Sequence, residues 1–471
     1  MAEQLLSVGL DVGTTSTQLV VSELKIENRA SGFAVPELEI AERKIRYQSP
    51  VYFTPLLSEQ LVDGDGIRTI VEAEYERAGI RREDVDTGAI IITGETSRKE
   101  NARAVLEAMS DLAGDFVVAT AGPHLESVLA AKGAGADAYS EETGKTVLHM
   151  DIGGGTSNLA LLRDGKIVQT GCLNVGGRLV KLNETGVVTY VSPVLEGLWN
   201  RKVGDKITVS QAEELAAMLV QALEMAAGLR ERTELLEKLT TAEAGSWCAA
   251  GSAGEVQDIA VPLPTRRILA SLGRATFSPG EGAEMVLSFS GGVADCIEKD
   301  VPWLTFGDIG PVLGRAIRKS RLCQGEYRLG NQTIRATVIG AGCHSAQLSG
   351  STVFCQNVTL PLKNLPVVSP EEENREGVSV LALAGVNSPS YAQVQAMAEE
   401  IAAAGNRQPV LVCLEQDMAK ALGQALALRL GKDAQILCID RIKPEAHSYL
   451  DIGTPLGPTF PVVVKTLVLG R

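Results

Sequence analysis

Short apolar runs alternate with stretches of helical spacing along most of this chain, and glycine-rich or polar turns separate them. In the first third, the runs that predict strands are residues 5–10, 19–21, 89–93 and 116–119. The stretches that predict helices there are residues 67–78, 96–113 and 122–132. Residues 25–85 are more polar and predict a small insert. We therefore expect a first α/β lobe over residues 1–135.

The same alternation then starts again and predicts a second lobe over residues 136–360. Its predicted strands are residues 146–150, 159–162, 167–173, 285–289 and 334–339. Ser210 and Glu213 form a capping-box pattern, which predicts that a helix over residues 210–230 begins there. Residues 231–283 have a weaker periodicity and are predicted to form a second insert.

Prolines and acidic residues interrupt the pattern over residues 361–376, which predicts a linker. Beyond it, the predicted strands are residues 378–383, 410–414, 436–439 and 460–469. The predicted helices between them are residues 391–403 and 417–430. This order predicts a C-terminal α/β domain over residues 377–471, built on a parallel sheet with covering helices.

Composition narrows the class of protein. Hydrophobic residues make up 45% of the 471 residues and charged residues 22%, which predicts folded domains with buried cores. The net charge of −14 argues against a general nucleic-acid binder. The first residues lack the basic segment of a secretion signal, and no run of about 18 apolar residues predicts a membrane span. Eight scattered cysteines are typical of reduced thiols, so we expect a cytoplasmic location without membrane contact.

One glycine-rich turn occurs twice, each time after the first strand of a lobe. The two copies are Asp11-x-Gly13-Thr14-Thr15-Ser16 and Asp151-x-Gly153-Gly154-Gly155-Thr156. Their aspartates are 140 residues apart, which is the size of a domain. This spacing predicts a duplicated fold with two facing halves.

The residue types in these turns suit phosphate binding. Glycine and small hydroxyl residues leave backbone N–H groups accessible, and such a concave loop attracts anions. The aspartate before each turn repels phosphate but can hold a hydrated divalent cation that bridges to phosphate oxygens. Asp11 and Asp151 are therefore candidate Mg²⁺ residues, acting through water. A single turn of this kind is more often a plain hairpin, and it is the ordered pair that favours a nucleotide.

Two further glycine pairs are candidates for a close approach of a nucleotide to the backbone. Ser290-Gly291-Gly292 joins a strand to a predicted helix, where a base or ribose could approach, and an ordinary strand-to-helix turn is the alternative. Gly176-Gly177 has two readings as well, a nucleotide contact or a tight hairpin end. The chain has no GxxxxGK[ST] phosphate loop, and no GxGxxG segment opens a helix after a strand.

Together these motifs resemble the actin, Hsp70 and sugar-kinase superfamily of ATPases, over about residues 5–350. The resemblance implies an α/β protein with duplicated actin-like, ribonuclease H-like lobes around a nucleotide cleft, and ATP and Mg²⁺ as its ligands. It also implies two connecting helices, at residues 121–133 and 340–350.

The superfamily resemblance further implies a water-orienting group near the first connecting helix. Glu126 is the candidate for this catalytic role, with His124 beside it, and both could instead be surface or helix-cap residues. Arg98 and Lys99 follow a predicted buried strand and could face a phosphate or form a solvated helix start.

Within that superfamily the chain is similar, over nearly its full length, to the reactivating factors of ethanolamine ammonia-lyase in the ethanolamine utilization system. The segments that carry this similarity are residues 92–102, 119–127, 149–160, 451–455 and 461–467. The resemblance implies a chaperone-like ATPase that releases damaged or inactive cobalamin from the lyase, so that adenosylcobalamin can bind again. It also implies ATP and ADP as ligands and association with a bacterial microcompartment. Whether the chain forms a homodimer is left open.

The sequence leaves other functions open. A reactivating factor for another B12 enzyme is the nearest of them. A small-molecule kinase would need a catalytic base, for which Asp63 and Asp65 are available although no kinase signature surrounds them. An actin-like filament protein is the structural alternative. The C-terminal domain could bind a partner or could be a structural extension.

Overall fold

The computed structural model describes residues 3–13, 16–28, 38–58, 61–92, 117–120, 123–241, 285–344, 346–349, 353–369, 378–403, 409–442, 448–455 and 459–466. Several predicted features lie outside these residues, namely Thr14, Thr15, the helix at 96–113 with Arg98 and Lys99, and most of the second insert. The chain divides into two compact units. One unit combines Met1–Leu125 with Val338–Arg471, and the other is Glu126–Thr337.

The first lobe is built on a sheet with β1 at its centre. Its elements are β1 (Glu3–Val12), β2 (Ser16–Asn28), β3 (Leu38–Gln48), β4 (Tyr52–Phe53), β5 (Leu56–Ser58), β6 (Leu61–Val62), α1 (Gly64–Ala78), a 3₁₀ turn (Arg82–Asp84), β7 (Thr87–Ile92) and β8 (Val117–Thr120). The strand order is β3-β2-β1-β7-β8, with β4 also paired to β2. The first three strands are antiparallel neighbours, whereas β7 and β8 run parallel to β1. Apolar residues of the sheet, such as Leu10 and Ile90, share a core with Ile67 and Val71 of α1.

The second unit is built on a sheet with β9 at its centre. Its elements are α2 (Pro123–Gly133), α3 (Ala136–Thr143), β9 (Thr146–Ile152), β10 (Ser157–Arg163), β11 (Lys166–Leu173), β12 (Val180–Leu182), β13 (Val188–Val191), α4 (Val209–Ala226), α5 (Glu234–Leu239), β14 (Met285–Ser290), α6 (Gly310–Lys319) and β15 (Tyr327–Leu329), with short 3₁₀ turns at Pro193–Leu195, Ala294–Cys296 and Arg321–Cys323. The strand order is β11-β10-β9-β14-β15. The core packs Phe289 of β14 among residues of α4 and α6.

The two sheets have the same topology. In each, the first three strands form an antiparallel meander, and the fourth and fifth run parallel to the first. A parallel strand needs a crossover connection, and helices supply it in both lobes. This is the duplicated, actin-like and ribonuclease H-like arrangement, so the predicted fold class is confirmed.

The remaining elements form an eight-stranded sheet near the C-terminus. They are α7 (Ala336–His344), β16 (Ala346–Leu348), β17 (Phe354–Gln356), β18 (Leu362–Val368), β19 (Val380–Leu383), α8 (Tyr391–Ala403), β20 (Val410–Leu414), α9 (Ala419–Leu430), β21 (Ile436–Ile439), β22 (Ser448–Ile452) and β23 (Pro461–Thr466). The strand order is β16-β23-β22-β18-β19-β20-β21-β17. The four strands from β18 to β21 are parallel, which was expected for β19, β20 and β21. Antiparallel strands flank them, and β23, which was expected in the same domain, is one of these.

Three sequence-based assignments differ from the structure. The polar segment after residue 25 contributes β2 and β3 to the main sheet instead of forming an insert throughout, because β3 is an edge strand whose residues are largely exposed. The first half of the expected linker forms β18, since burial of Leu365 and Val367 outweighs the turn tendency of the neighbouring prolines. The strand expected at 334–339 is the start of α7, and β15 takes the fifth place in the sheet.

The long helix of the second unit begins slightly earlier than expected. Thr208 is its N-cap and accepts a hydrogen bond from the Gln211 N–H, while the Gln211 side chain accepts one from the Thr208 N–H at 3.0 Å. The capping box is therefore Thr208 with Gln211, and the helix ends at Ala226. No helix in the described part of the chain is both long and apolar enough to cross a membrane.

A buried carboxylate joins α1 to the strands beside it. Glu74 is fully buried and accepts hydrogen bonds from the hydroxyls of Tyr47, at 2.7 Å, and Tyr52, at 2.5 Å. Arg77, one turn further along the helix, donates to the same carboxylate. Burial, with the hydrogen bond to Glu74, raises the pKa of Tyr47 to about 12, so this hydroxyl keeps its proton.

We expect the Glu74→Ala variant to lose roughly 1–3 kcal/mol of unfolding free energy, because two half-buried tyrosine hydroxyls lose their buried acceptor, whereas the exposed Arg77 can bind water instead. Urea denaturation followed by circular dichroism measures the loss. Glu76→Ala is the matched control, because Glu76 lies on the same helix and is exposed. Equal stabilities for the two variants would contradict a structural role for the buried carboxylate.

Candidate functional site

The two glycine-rich turns are closed by the same backbone hydrogen bond. In the first, the Gly13 N–H donates to the Ser16 carbonyl at 2.9 Å, and in the second the Gly153 N–H donates to the Thr156 carbonyl at 2.9 Å. Asp11 pairs with Gln18 across the first hairpin, as Asp151 pairs with Asn158 across the second. The repeated sequence therefore forms one repeated hairpin, with an aspartate at the same place in each copy.

The first turn is anchored by a threonine from outside the motif. The Thr54 hydroxyl donates to the Gly13 carbonyl at 2.7 Å, and it lies 3.2 Å from the Thr17 hydroxyl. Asp11 is the penultimate residue of β1, and only 8% of its surface is exposed. The role of Thr54 could not be found from the sequence, because it lies 41 residues from the turn that it holds.

The glycine pair at 176 and 177 packs against the second turn. The Gly177 N–H donates to the Gly153 carbonyl at 3.0 Å, and the Arg178 N–H donates to the Gly154 carbonyl at 2.7 Å. A Cβ atom at Gly176 would lie 2.3 Å from the Gly154 carbonyl oxygen. At Gly177 a Cβ atom would lie 2.9 Å from the Gly310 Cα atom. Close backbone contacts thus explain both glycines, and a nucleotide contact at this pair stays a prediction.

The Ser290-Gly291-Gly292 turn also packs closely on the second hairpin. Gly291 has a φ of +86°, and a Cβ atom there would lie 2.3 Å from the Ile152 carbonyl oxygen. Around Gly292 there is more space, since the nearest atom to such a Cβ is 3.7 Å away on Ile334. The helix expected after this turn is only the 3₁₀ turn Ala294–Cys296. Of the two glycines, only Gly292 could carry a Cβ atom without a clash, and a nucleotide contact at this turn stays a prediction.

Asp151 lies in a polar but almost closed environment. It is 6% exposed, and the Ser290 hydroxyl donates to its Oδ1. The Thr337 hydroxyl lies 3.5 Å from Oδ2. Burial raises the pKa of the Asp151 carboxyl to about 6, and these two hydrogen bonds act in the opposite direction. Positive charge brought close to this carboxylate would stabilise its ionised form.

A histidine that the sequence did not single out for this site lies behind Asp151. His149 is fully buried, with Nδ1 3.1 Å from the Ser288 hydroxyl and Nε2 2.9 Å from the Ser290 hydroxyl. Burial lowers the pKa of this imidazole to about 3, so the ring is neutral near pH 7. The sequence contained one signal for this residue. His149 lies two positions before Asp151, and residues two apart on a strand face the same side of the sheet.

Asn158 is a second residue that sequence reasoning missed. It lies opposite Asp151 on β10, and it is 2% exposed. Its amide oxygen Oδ1 has no hydrogen-bond partner within the described residues. Side chains at directly opposed positions of an antiparallel pair share one face of the sheet, so this oxygen and the carboxylate lie on the same side.

The catalytic candidate Glu126 lies in the first turn of α2 and is buried, whereas His124 is exposed. The proposed contact of Glu126 with a reacting water stays a prediction. Asp63, one of the residues weighed as a kinase base, is the N-cap of α1 and accepts a hydrogen bond from the Gly66 N–H at 3.0 Å. Asp65 is exposed in the first turn of that helix. Helix capping therefore explains Asp63 without a kinase role.

Comparison with known proteins connects these loops to a family. The family model described as "Ethanolamine utilisation protein EutA" matches residues 3–379 and 372–470. The chain belongs to the EutA family. The ethanolamine ammonia-lyase reactivase EutA of Salmonella typhimurium is 38% identical over 489 residues, with 98% of each chain covered. The Escherichia coli reactivase of the same name is 39% identical over 490 residues, again with 98% of each chain covered.

Solved structures resemble the EutA-family chain more weakly. The ethanolamine utilization protein EutJ from Carboxydothermus hydrogenoformans is 16% identical, with a TM-score of 0.31. The alignment covers 72% of this chain and 89% of that one. The assignment to the EutA family depends on the sequence matches alone.

The described residues were compared with the usual ligand sets of bound metal ions. Within the described residues, no group of three or more histidine, cysteine, aspartate or glutamate side chains lies together in a way that could hold a metal ion. Each repeated hairpin supplies one such carboxylate, Asp11 or Asp151.

The seven cysteines in the described ranges are free thiols, as the sequence predicts.

Proposed function

We propose that this protein is an ATP- and Mg²⁺-dependent reactivating factor. It releases damaged or inactive cobalamin from ethanolamine ammonia-lyase, so that adenosylcobalamin can bind again. Two EutA relatives, each named as a reactivase of this lyase and aligned over 98% of the chain, support the client. The observation that carries the ATP part of the proposal is the repeated hairpin, closed by the same 2.9 Å hydrogen bond in both copies.

Each hairpin is proposed to bind phosphate groups of ATP. Glycine at the tip keeps side-chain bulk away from the backbone N–H groups, which can then donate to phosphate oxygens. In the second hairpin these are the N–H groups of Gly154, Gly155 and Thr156, and in the first those of Thr14, Thr15 and Ser16. Gly292, which is less tightly packed than Gly291, is proposed to face the adenosine part.

The residues of the second hairpin fit a hydrated Mg²⁺ ion. A carboxylate and an amide oxygen are ligand types that Mg²⁺ prefers, either directly or through its bound water. The Asn158 oxygen is buried without a hydrogen-bond partner in the described chain, and a water of hydration could donate to it. Mg²⁺ would neutralise charge on the phosphate oxygens. Asp151 and Asp11 are proposed to orient its water ligands, and Glu126 to orient the water that attacks the terminal phosphate.

ATP must favour one conformation of the protein over another if it is to drive release of cobalamin. A ligand shifts a conformational equilibrium only by the difference between its affinities for the two states. Loss of the terminal phosphate removes hydrogen bonds to the hairpins, so ATP and ADP are proposed to stabilise different conformations. A cytoplasmic location and association with a microcompartment stay predictions, and whether the chain forms a homodimer stays open.

Reactivation can be measured directly. The lyase, first inactivated with cyanocobalamin, is mixed with this protein, ATP, Mg²⁺ and adenosylcobalamin, and release of ammonia from ethanolamine is followed. We expect activity to return only when every component is present. A non-hydrolysable ATP analogue separates binding from hydrolysis as the driving step.

A parallel assay with another adenosylcobalamin-dependent enzyme tests the nearest alternative client. Recovery of that enzyme, but not of ethanolamine ammonia-lyase, would reassign the client and keep the ATPase. Failure to restore either enzyme, with a protein that binds ATP, would count against a reactivating role.

A further inference from the structure

A chain of buried polar groups crosses from β14 to β9 beneath the second hairpin. The Ser288 hydroxyl lies 3.1 Å from His149 Nδ1, and His149 Nε2 lies 2.9 Å from the Ser290 hydroxyl. Ser290 in turn donates to Asp151 Oδ1. The serines, the imidazole and the carboxylate are all buried, and they form one continuous series of hydrogen bonds.

Only one arrangement of protons satisfies the whole series when Asp151 is ionised. A carboxylate can only accept, so the Ser290 hydroxyl gives its proton to Asp151. Its oxygen then accepts from the N–H at Nε2 of His149. With a single proton on the ring, that proton lies at Nε2, and Nδ1 accepts from the Ser288 hydroxyl. Each hydrogen bond in the series therefore determines which group donates in the next one.

The first hairpin is an internal control for this series. The position two residues before its aspartate is Gly9, and the residues paired with Gly9 and Asp11 on β7 are Ala89 and Ile91. The matching positions in the second unit are His149, Ser288 and Ser290. The same sheet and the same hairpin thus form without polar side chains at these three positions.

Burying polar groups costs free energy unless their hydrogen bonds are satisfied, and apolar residues would fill the space without that cost. The first unit folds without this series of hydrogen bonds. We therefore attribute its presence in the second unit to the orientation of the Asp151 carboxylate. A carboxylate whose neighbours are fixed has one preferred orientation, and ligands of a bound metal ion depend on such support.

We propose that His149 is a positioning residue, which holds the Ser290 hydroxyl toward Asp151 and so fixes the carboxylate for a hydrated divalent cation. This inference rests on the proposed nucleotide and Mg²⁺ binding. His149 itself touches neither ligand and acts through Ser290.

The test compares His149→Leu, which removes the donor at Nε2, with His149→Gln, whose amide can replace it. ADP binding to the full chain is measured by calorimetry over a series of Mg²⁺ concentrations. We expect His149→Leu to raise the half-saturating Mg²⁺ concentration about tenfold and to leave Mg²⁺-free ADP binding unchanged. His149→Gln should restore most of the wild-type value. In the double variant with Ser290→Ala, loss of His149 should cause no further change.

Leu148→Ala is the matched control for packing, because Leu148 precedes His149 on β9 and lies in the apolar core. It should lower the melting temperature without moving the Mg²⁺ dependence. If it moved the half-saturating concentration as far as His149→Leu does, the effect would be one of packing, and the proposal would be overturned.

A second readout needs neither ligand nor a variant that folds poorly. The chain has four histidines, so ¹⁵N-labelled imidazole signals of the wild-type protein can be assigned by comparison with His149→Gln. We expect a proton at Nε2 of His149. A ring with its only proton at Nδ1 would overturn the proposed series.

The two proposals fail in different ways. If Mg²⁺ does not strengthen nucleotide binding by the wild-type protein, the proposed function is wrong and this inference falls with it. If the wild-type protein requires Mg²⁺ and His149→Leu keeps the same half-saturating concentration, the positioning role alone is wrong.

Discussion

Asp151→Asn is expected to abolish Mg²⁺-dependent ATP hydrolysis while the protein stays folded. Asparagine has nearly the same shape and its oxygen still accepts from Ser290, but the negative charge that attracts the cation is gone. We expect hydrolysis to fall about 100-fold or more, since loss of a group supporting a metal ion already costs 10–100-fold. Phosphate release, measured at increasing Mg²⁺ concentration, shows whether more cation compensates.

The unfolding free energy of Asp151→Asn should not fall with its hydrolysis rate, and at high pH it should rise. Burial raises the folded-state pKa of Asp151 to about 6, so the wild-type protein loses stability as the pH rises through that value and the buried carboxyl ionises. The asparagine variant has no such group. Without Mg²⁺ it should therefore be at least as stable as the wild type at pH 8, and its relative advantage should shrink below pH 5. Urea denaturation at the two pH values measures both.

Asp164→Asn is the matched control for this charge change. Asp164 is exposed in the turn between β10 and β11, with a φ of +48° that asparagine tolerates well. Its hydrolysis rate should equal that of the wild-type protein. Unchanged turnover in the Asp151 variant would refute the assigned role of this carboxylate.

Gly291→Ala is expected to destabilise the second unit by roughly 3–5 kcal/mol. Two costs combine, because the residue has a positive φ and its new Cβ atom would lie 2.3 Å from the Ile152 carbonyl oxygen. The collision is between two backbones, which cannot move apart as a flexible side chain can. Urea denaturation measures the loss, and nucleotide binding should fall with it because the second hairpin is displaced.

The Gly79→Ala variant measures the cost of a positive φ without a backbone collision. Gly79 ends α1 with a φ of +65°, and nothing lies within 4 Å of the Cβ atom that alanine would add. This variant should therefore lose only about 1–2 kcal/mol, the cost of the backbone conformation itself. Equal losses at Gly79 and Gly291 would mean that contact with Ile152 does not explain the glycine.

The sequence predicted the duplicated hairpins and most of the strands around them. This succeeded because the turns are defined by local chemistry: an aspartate, then glycines and hydroxyl residues, placed after a buried strand. It did not identify His149 or Asn158 as members of the site. Their importance comes from pairing between strands, which brings β9 beside β14 and β10 and is not a local property of the chain.

The errors in secondary structure also have physical causes. β3 lies at the edge of its sheet, so it lacks the apolar run that identifies a central strand. The residues of α7 could form a strand by composition, and residues 336–343 are all buried, so no alternation of buried and exposed positions identifies a helix there. Gly342 of this helix lies against Gly9 of β1, a tertiary contact that local propensity cannot include.

The position of β18 determines where the protein can be divided. This strand lies inside the eight-stranded sheet, and its two neighbours, β19 and β22, both follow it in the sequence. Cutting the chain at residue 376 would separate β18 from both of its partner strands. Both edges of β18 would then be unpaired, and unpaired strand edges promote aggregation. A fragment meant to isolate the C-terminal sheet must therefore start before β16, at the end of α7.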